Sequence, residues 1–271
     1  MLFGDLNGRV AIVTGSARNI GEACARALAD AGASVVIADI DGDAAKSVAH
    51  DIEAGGGTAM AHVLDLAEED SIVALVEAVM ARFRRIDILH NNAADTRPEH
   101  MAGDTSFSDM TCEVWDRTFV VNTRGPMLMI KHVTPHMIAG GGGSIINTGS
   151  GAAMLGDVFH PAYSSSKAAL HTMTRNVATQ LGRHNIRCNA ILPGLVLSKG
   201  AREIMTEGEV DFIQRHVLLP RQSRPEDIAG PVLFLASDAG SFVTAQVFSA
   251  DGGVVHHMPY YADAVSQAQG E

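Results

Sequence analysis

Cysteine is scarce in this chain. Cys24, Cys112 and Cys188 are odd in number, widely spaced and form no CxxC pair. That pattern is not a disulfide framework and reads as reduced, buried thiols in a cytoplasmic protein. Runs of basic residues are also missing, and 20 Lys+Arg against 31 Asp+Glu leave a net charge of −11. A nucleic-acid binder needs a basic surface to displace counterions, so that class is excluded, and an anionic membrane is disfavoured for the same reason. An anionic ligand can bind only where local backbone dipoles hold it, which points to small-molecule partners. No apolar run reaches the roughly 18 residues of a spanning helix. Met1–Asn7 lacks the basic stretch and apolar core of a signal peptide. Charged residues are only 19% against 46% hydrophobic, enough for a large core and unlike a disordered chain.

What is present is an alternation. Apolar, β-rich runs occur at Val10–Val13, Ser34–Ala38, Ala59–Val63, Ile86–His90, Ser144–Asn147, Arg187–Leu192 and Gln246–Ser249. Segments of helical period lie between them, at Ile20–Ala31, Asp43–Ala54, Glu69–Phe83, Thr111–Ile138, Ala162–Leu181 and Pro225–Leu235. Nearly continuous apolar strands separated by helices imply an α/β protein: one Rossmann-type, doubly wound, parallel seven-stranded sheet with helices on both faces. No repeat, low-complexity segment or second domain is visible, so residues 1–271 read as a single domain. Ala94–Met110 and a substrate loop at about 195–220 are long and follow strands. Both therefore belong at the carboxyl edge of the sheet, where ligands bind, and both read as lids.

The first strand runs into Thr14-Gly15-Ser16-Ala17-Arg18-Asn19-Ile20-Gly21 and then a helix. Such a turn aims helix N-terminal N–H groups at a pyrophosphate, although glycine turns are common for backbone reasons alone. Asp39 ends the second strand 18 residues past Gly21, where a carboxylate can accept bonds from both adenosine ribose hydroxyls. Further along stand His90-Asn91-Asn92-Ala93-Ala94, Val121-Asn122-Thr123, Asn147-Thr148-Gly149-Ser150, Tyr163-Ser164-Ser165-Ser166-Lys167 and Arg187-Cys188-Asn189-Ala190-Ile191-Leu192-Pro193-Gly194. In order and spacing, including the 13 residues from Ser150 to Tyr163, the chain resembles the short-chain dehydrogenase/reductase family over nearly its whole length.

Tyr163 and Lys167, at i and i+4, share one helix face. A phenol of pKa about 10 is a poor base at neutral pH, and each unit of downward shift requires about 1.4 kcal/mol. Lys167, helped by a nicotinamide positive charge, is expected to draw Tyr163 down far enough to act as general acid/base. The resemblance assigns Ser150 to the reacting oxygen and Asn122 to a water continuing the proton path. It also implies NAD-binding roles for Gly15, Arg18, Asn19, Ile20, Gly21, Asp39, Asp65, Leu66, Asn91, Tyr163, Lys167, Pro193, Val196 and Ser198, and no metal. Asn19 replaces the usual middle glycine of the turn, a substitution that Asn's tolerance of positive φ allows.

Arg18 and Asp39 conflict over the cofactor. Arg18 suits the 2′-phosphate of NADP, whereas Asp39 repels it by about 4 kcal/mol at 4 Å and an effective dielectric of 20. An exposed Arg recovers about 1 kcal/mol, so NAD is favoured. The reading is an NAD(H)-dependent enzyme interconverting a secondary alcohol and a ketone. Met154, Leu155, Val158, Phe159, Leu195, Ile204, Met205 and Phe212 are candidate pocket walls, suited to an apolar or cyclic substrate. The alternatives are a 3-oxoacyl-(acyl-carrier-protein) reductase using NADPH, and a cofactor-binding scaffold or redox sensor without turnover. The resemblance also implies a homotetramer. The C-terminal tail, residues 254–271, carries Val254–Tyr261, which is expected either to dock on a neighbouring subunit and close its pocket, or to pack on its own.

Overall fold

The computed structural model describes residues 4–197 and 205–269. Seven strands form one sheet: β1 (Val10–Thr14), β2 (Ser34–Asp39), β3 (Thr58–Val63), β4 (Ile88–Asn91), β5 (Gly143–Thr148), β6 (Ile186–Pro193) and β7 (Val247–Ala250). Their order is β3-β2-β1-β4-β5-β6-β7, and every pairing is parallel. Strand order reverses between β1 and β4, which opens a crevice beyond the carboxyl ends of those strands.

Alternation along the strands feeds two cores. Ala11, Val13, Val35 and Ile37 face a cluster with the buried sides of α1 (Asn19–Asp30), α2 (Gly42–Ala54) and a late helix, Glu226–Ala236. Val10, Ile12, Val36 and Ala38 face the other cluster, with α3 (Glu69–Phe83) and residues of the long helices beyond β4. A period of two that is apolar on both faces is what a covered parallel sheet requires. Cys24 and Cys188 are buried, as expected, and burial pushes both thiols up to about 12. Cys112 is exposed, contrary to the expectation.

Beyond β4, a short α4 (Pro98–Met101) precedes α5 (Cys112–Phe119). The helix expected over Thr111–Ile138 is not continuous. It breaks into α5, a π turn at Val120–Arg124, and α6 (Gly125–Ala139). The cause is local: Pro126 has no N–H to return to the Asn122 carbonyl four residues earlier, so the ladder shifts to the wider repeat. The N–H of Gly125 accordingly reaches the Val120 carbonyl.

After β5 comes α7 (Pro161–Leu181), and after β6 come α8 (Glu207–Gln214) and α9 (Glu226–Ala236). The tail ends in α10 (Tyr261–Gln269), which the sequence reading missed. The tail lies on its own chain. The His257 ring nitrogens lie 2.8 Å from the His216 carbonyl oxygen and 2.9 Å from that of Met258, and the rings of His257 and Tyr261 are 4.6 Å apart. No helix among the described residues is long and apolar enough to cross a membrane.

Candidate active site

At the crevice, β1 delivers the turn toward α1. Gly15 has φ +62°, and a Cβ there would stand 2.8 Å from the Ala93 Cα. A Cβ on Gly21 would stand 2.0 Å from the Gly15 carbonyl oxygen, so only glycine lets α1 approach the turn. Asn19 adopts φ +55°, the left-handed conformation that Asn tolerates. Ser16 Oγ donates to the Val13 carbonyl at 2.7 Å and accepts from the Ala38 N–H at 3.1 Å, pinning the turn across β1 and β2.

Asp39 is buried at the end of β2. Its carboxylate accepts from the N–H groups of Ala17 and Asp41, each at 3.0 Å. Arg18 does not face the cleft as a free cation: its guanidinium pairs with the Asp41 carboxylate. Asp41 also caps α2 by accepting from the Ala44 N–H at 3.1 Å. Asp65 and Leu66 form the next stretch of wall, where Asp65 accepts from the Ala67 N–H at 2.8 Å.

Of the two consecutive asparagines, Asn91 is buried and donates to Asn147 Oδ1 at 2.9 Å, away from the cleft wall. Asn92 is the one that reaches the turn, donating to the carbonyls of Thr14 and Gly15 at 3.1 and 3.0 Å. Neighbouring strand side chains point to opposite faces, so only one of the pair can do so.

The wall continues through Ser150, Tyr163, Lys167, Pro193 and Val196 in a cleft of about 780 Å³. Gly15, Arg18, Asn19, Ile20, Gly21, Asp39, Asp65 and Leu66 line the same cleft. Ser198 and Ile204 lie outside the described residues. Tyr163 and Lys167 are one turn apart on α7, with the ammonium 5.7 Å from the ring centroid. Lys167 is 2% exposed and donates to the Thr148 carbonyl at 2.8 Å. Burial draws its pKa from 10.5 down to about 8.

Burial also raises the Tyr163 phenol above its ordinary value, and the neighbouring Ser150 hydroxyl only partly offsets this. The expected downward pull by Lys167 is therefore not what the protein's own groups produce. Desolvation dominates both side chains and acts on them in opposite directions.

Asn122 does not line the cleft. It is fully buried, accepts from the Asp95 N–H at 2.9 Å and donates to Ser166 Oγ at 3.2 Å. Its side chain is thus engaged at both ends.

Further residues at the site were not picked out from the sequence. Asp95, Arg97 and Arg117 form a cluster on the cleft wall, with Arg97 bidentate to Asp95 at 2.7 and 2.6 Å and Arg117 at 3.1 Å. Burial opposes ionisation of Asp95, but the two guanidinium groups hold its carboxyl down to about 2. His90 Nε2 lies 2.9 Å from Thr148 Oγ1, and burial lowers this imidazole to about 3. Arg97 and Asp95 are two residues apart in one loop, but the Arg117–Asp95 and His90–Thr148 contacts join separate segments, which no spacing rule marks.

Apolar residues connect Ser150 to Tyr163 along the chain: Met154, Leu155, Val158 and Phe159 are all exposed, as is Phe212 on α8. Leu195 lines the cleft itself. The tail approaches from above, since a Cβ on Gly151 would stand 3.0 Å from Val255 Cγ1.

The residues of this cleft fit a dinucleotide. The glycine cradle leaves no room for side chains where a phosphate approaches, helix α1 points its N-terminus there, and Asp39 stands where a ribose would lie.

A family model described as enoyl-(acyl carrier protein) reductase matches residues 15–255. The chain is 41% identical over 262 residues to a Bradyrhizobium diazoefficiens protein named "Probable short-chain type dehydrogenase/reductase", covering 96% of this chain and 92% of that one. It is 40% identical over 262 residues to 7alpha-hydroxysteroid dehydrogenase of Clostridium sardiniense, covering 95% and 97%. Among solved structures, a 7 alpha-hydroxysteroid dehydrogenase complexed with NADH and 7-oxo glycochenodeoxycholic acid superposes with a TM-score of 0.87 at 36% identity, covering 93% of this chain and 96% of that one. Sheet order, dinucleotide turn and these similarities agree that the chain belongs to the short-chain dehydrogenase/reductase family.

Proposed function

We propose that this protein is an NAD(H)-dependent oxidoreductase that interconverts a secondary alcohol and a ketone on an apolar or cyclic substrate. The observation that carries this reading is the meeting of Ser150, Tyr163 and Lys167 with the glycine turn and Asp39 in one cleft. A bound nicotinamide supplies the hydride acceptor or donor and, when oxidised, a positive charge. Tyr163 takes the hydroxyl proton of the alcohol during oxidation and returns it during reduction. Ser150 hydrogen-bonds the reacting oxygen. Lys167 holds its ammonium beside the phenol, stabilises the phenolate and donates to the cofactor ribose. The backbone carbonyl of Asn122 holds the water that continues the proton path, because its side chain is already bonded to Asp95 and Ser166.

NAD is favoured over NADP because Asp39 and Asp41 together oppose a 2′-phosphate, while Arg18 is already paired. The exposed apolar rim and the similarity to hydroxysteroid dehydrogenases support a bulky alicyclic alcohol, with a hydroxysteroid as the first candidate. Residues 1–271 are read as one domain, acting in the cytoplasm as a homotetramer.

A 3-oxoacyl-thioester reductase using NADPH is the second reading, favoured by similarity to a 3-oxoacyl-[acyl-carrier-protein] reductase of Thermotoga maritima, 35% identical over 250 residues. The Arg18–Asp41 pair and the net charge of −11 weigh against it, since an acidic carrier protein would be repelled. Purified protein incubated with secondary alcohols, including hydroxysteroids, and with 3-oxoacyl thioesters, with NAD(H) and NADP(H) in parallel, separates these readings by reduced-nicotinamide absorbance. Turnover of an alcohol with NAD supports the proposal, preference for a thioester with NADPH replaces it, and cofactor binding without any turnover favours a scaffold.

A further inference from the structure

The loop after β4, read from the sequence as a lid, runs inward at two points. At its start the Asp95 N–H donates to Asn122 Oδ1 at 2.9 Å. Nine residues later Asp104 is fully buried, and its two carboxylate oxygens accept from the N–H groups of Ala162 and Tyr163, each at 2.9 Å. The Asp104 carbonyl also accepts from the His160 N–H at 3.0 Å and lies 2.9 Å from His160 Nδ1.

These N–H groups belong to the first turn of α7, where no intrahelical acceptor exists. The residue that begins the helix, His160, is left-handed at φ +57° and gives no side-chain cap. The cap comes instead from a carboxylate 59 residues away from Tyr163 in sequence. Its charge is aligned with the positive end of the helix, and its hydrogen bonds are of the stronger, charge-assisted kind.

We propose that Asp104 is a positioning residue for Tyr163, and that with Asp95 on Asn122 it makes the Ala94–Met110 loop a brace for the catalytic groups. The inference rests on the general acid/base reading of Tyr163. It goes further in naming what sets the phenol's place. One Oδ holds the N–H of the catalytic residue itself and the other holds that of its neighbour, so rotation or fraying of the first turn of α7 would move the phenol directly. Misplacement by about 1 Å costs on the order of 100-fold in rate.

The test compares the full-length Asp104→Ala and Asp104→Asn variants with Tyr163→Phe. Asp104→Ala is expected to lower kcat about 10- to 100-fold, with the NADH Kd within about two-fold and substrate KM little changed. The solvent deuterium isotope effect on kcat should rise as proton transfer becomes limiting. Asp104→Asn keeps one acceptor and should recover part of kcat; it also serves if the alanine variant does not fold. Wild-type kcat per folded molecule in either variant overturns the proposal, as does parallel loss of NADH binding. If Tyr163→Phe is inactive while Asp104→Ala is fully active, only the brace falls. Activity in Tyr163→Phe removes the acid/base reading beneath it.

Discussion

The Lys167 ammonium donates to the Thr148 carbonyl at 2.8 Å while almost wholly cut off from solvent. This bond ties the last residue of β5 to the helix that carries Tyr163 and offsets part of the cost of burying the ammonium. Folding therefore carries a penalty at this residue. Its folded pKa of about 8 lies below the ordinary 10.5, so below pH 8 both states are protonated and the penalty is full, on the order of 3 kcal/mol. Between about 8 and 10.5 the unfolded chain holds more protons, and stability at this site rises with pH. Lys167→Met should thus be inactive yet more stable at pH 7, by about 1–2 kcal/mol after the lost bond is counted, with the gain shrinking toward pH 10.5. Thermal melts of both proteins at the two pH values check this, and a variant less stable at pH 7 contradicts it.

Tyr163 sets the direction of the pH profile. Because burial holds the phenol above its ordinary value, the base needed for alcohol oxidation becomes available as pH rises, whereas ketone reduction needs the protonated phenol. Oxidative kcat should climb from pH 7 to 9, and reductive kcat should not. Tyr163→Phe should reduce turnover at least about 1000-fold and leave NADH binding within a few-fold. A flat oxidative profile in steady-state kinetics would count against Tyr163 as the base.

The Arg18–Asp41 pair makes a specific statement about cofactor choice. Asp41→Asn frees the guanidinium and removes one carboxylate, so NADPH affinity should rise several-fold with little change for NADH. Asp39→Ala should weaken NADH and strengthen NADPH. It should also loosen the turn, because Asp39 holds the Ala17 N–H. Arg18→Ala should mainly weaken NADPH. Fluorescence titration of the three variants with both cofactors decides the order, and an unmodified protein that prefers NADPH reverses it.

The tail offers a kinetic test. Val255 sits over Gly151, next to Ser150, and the His257 ring lies on the carbonyl of His216 just beyond α8. Truncation after Gly253 should raise KM for the alcohol about 10-fold or more and that for NAD little. Sedimentation of both forms reports the proposed tetramer and whether the tail supports it. Unchanged kinetics and assembly would leave the tail without either role.

Local chemistry makes much of this protein legible in its sequence. The seven strands, the turn with its left-handed Gly15 and Asn19, and the shared face of Tyr163 and Lys167 depend on residues within one turn or one strand of each other. Backbone sterics and the 2.0 and 3.6 periodicities decide them. Even the break in the long helix was written locally, in Pro126, though hydrophobic period alone hid it. What required the tertiary structure was the choice of partner. Which of Asn91 and Asn92 meets the turn, the pairing of Arg18 with Asp41, the engagement of Asn122 by Asp95, and the capping of Tyr163 by Asp104 all join separate segments. A buried polar group must be satisfied, but which distant group satisfies it depends on how the sheet order brings loops together at its carboxyl edge. The direction of the Tyr163 shift was decided in the same way, because spacing places a lysine beside a phenol while only packing determines how much water either keeps.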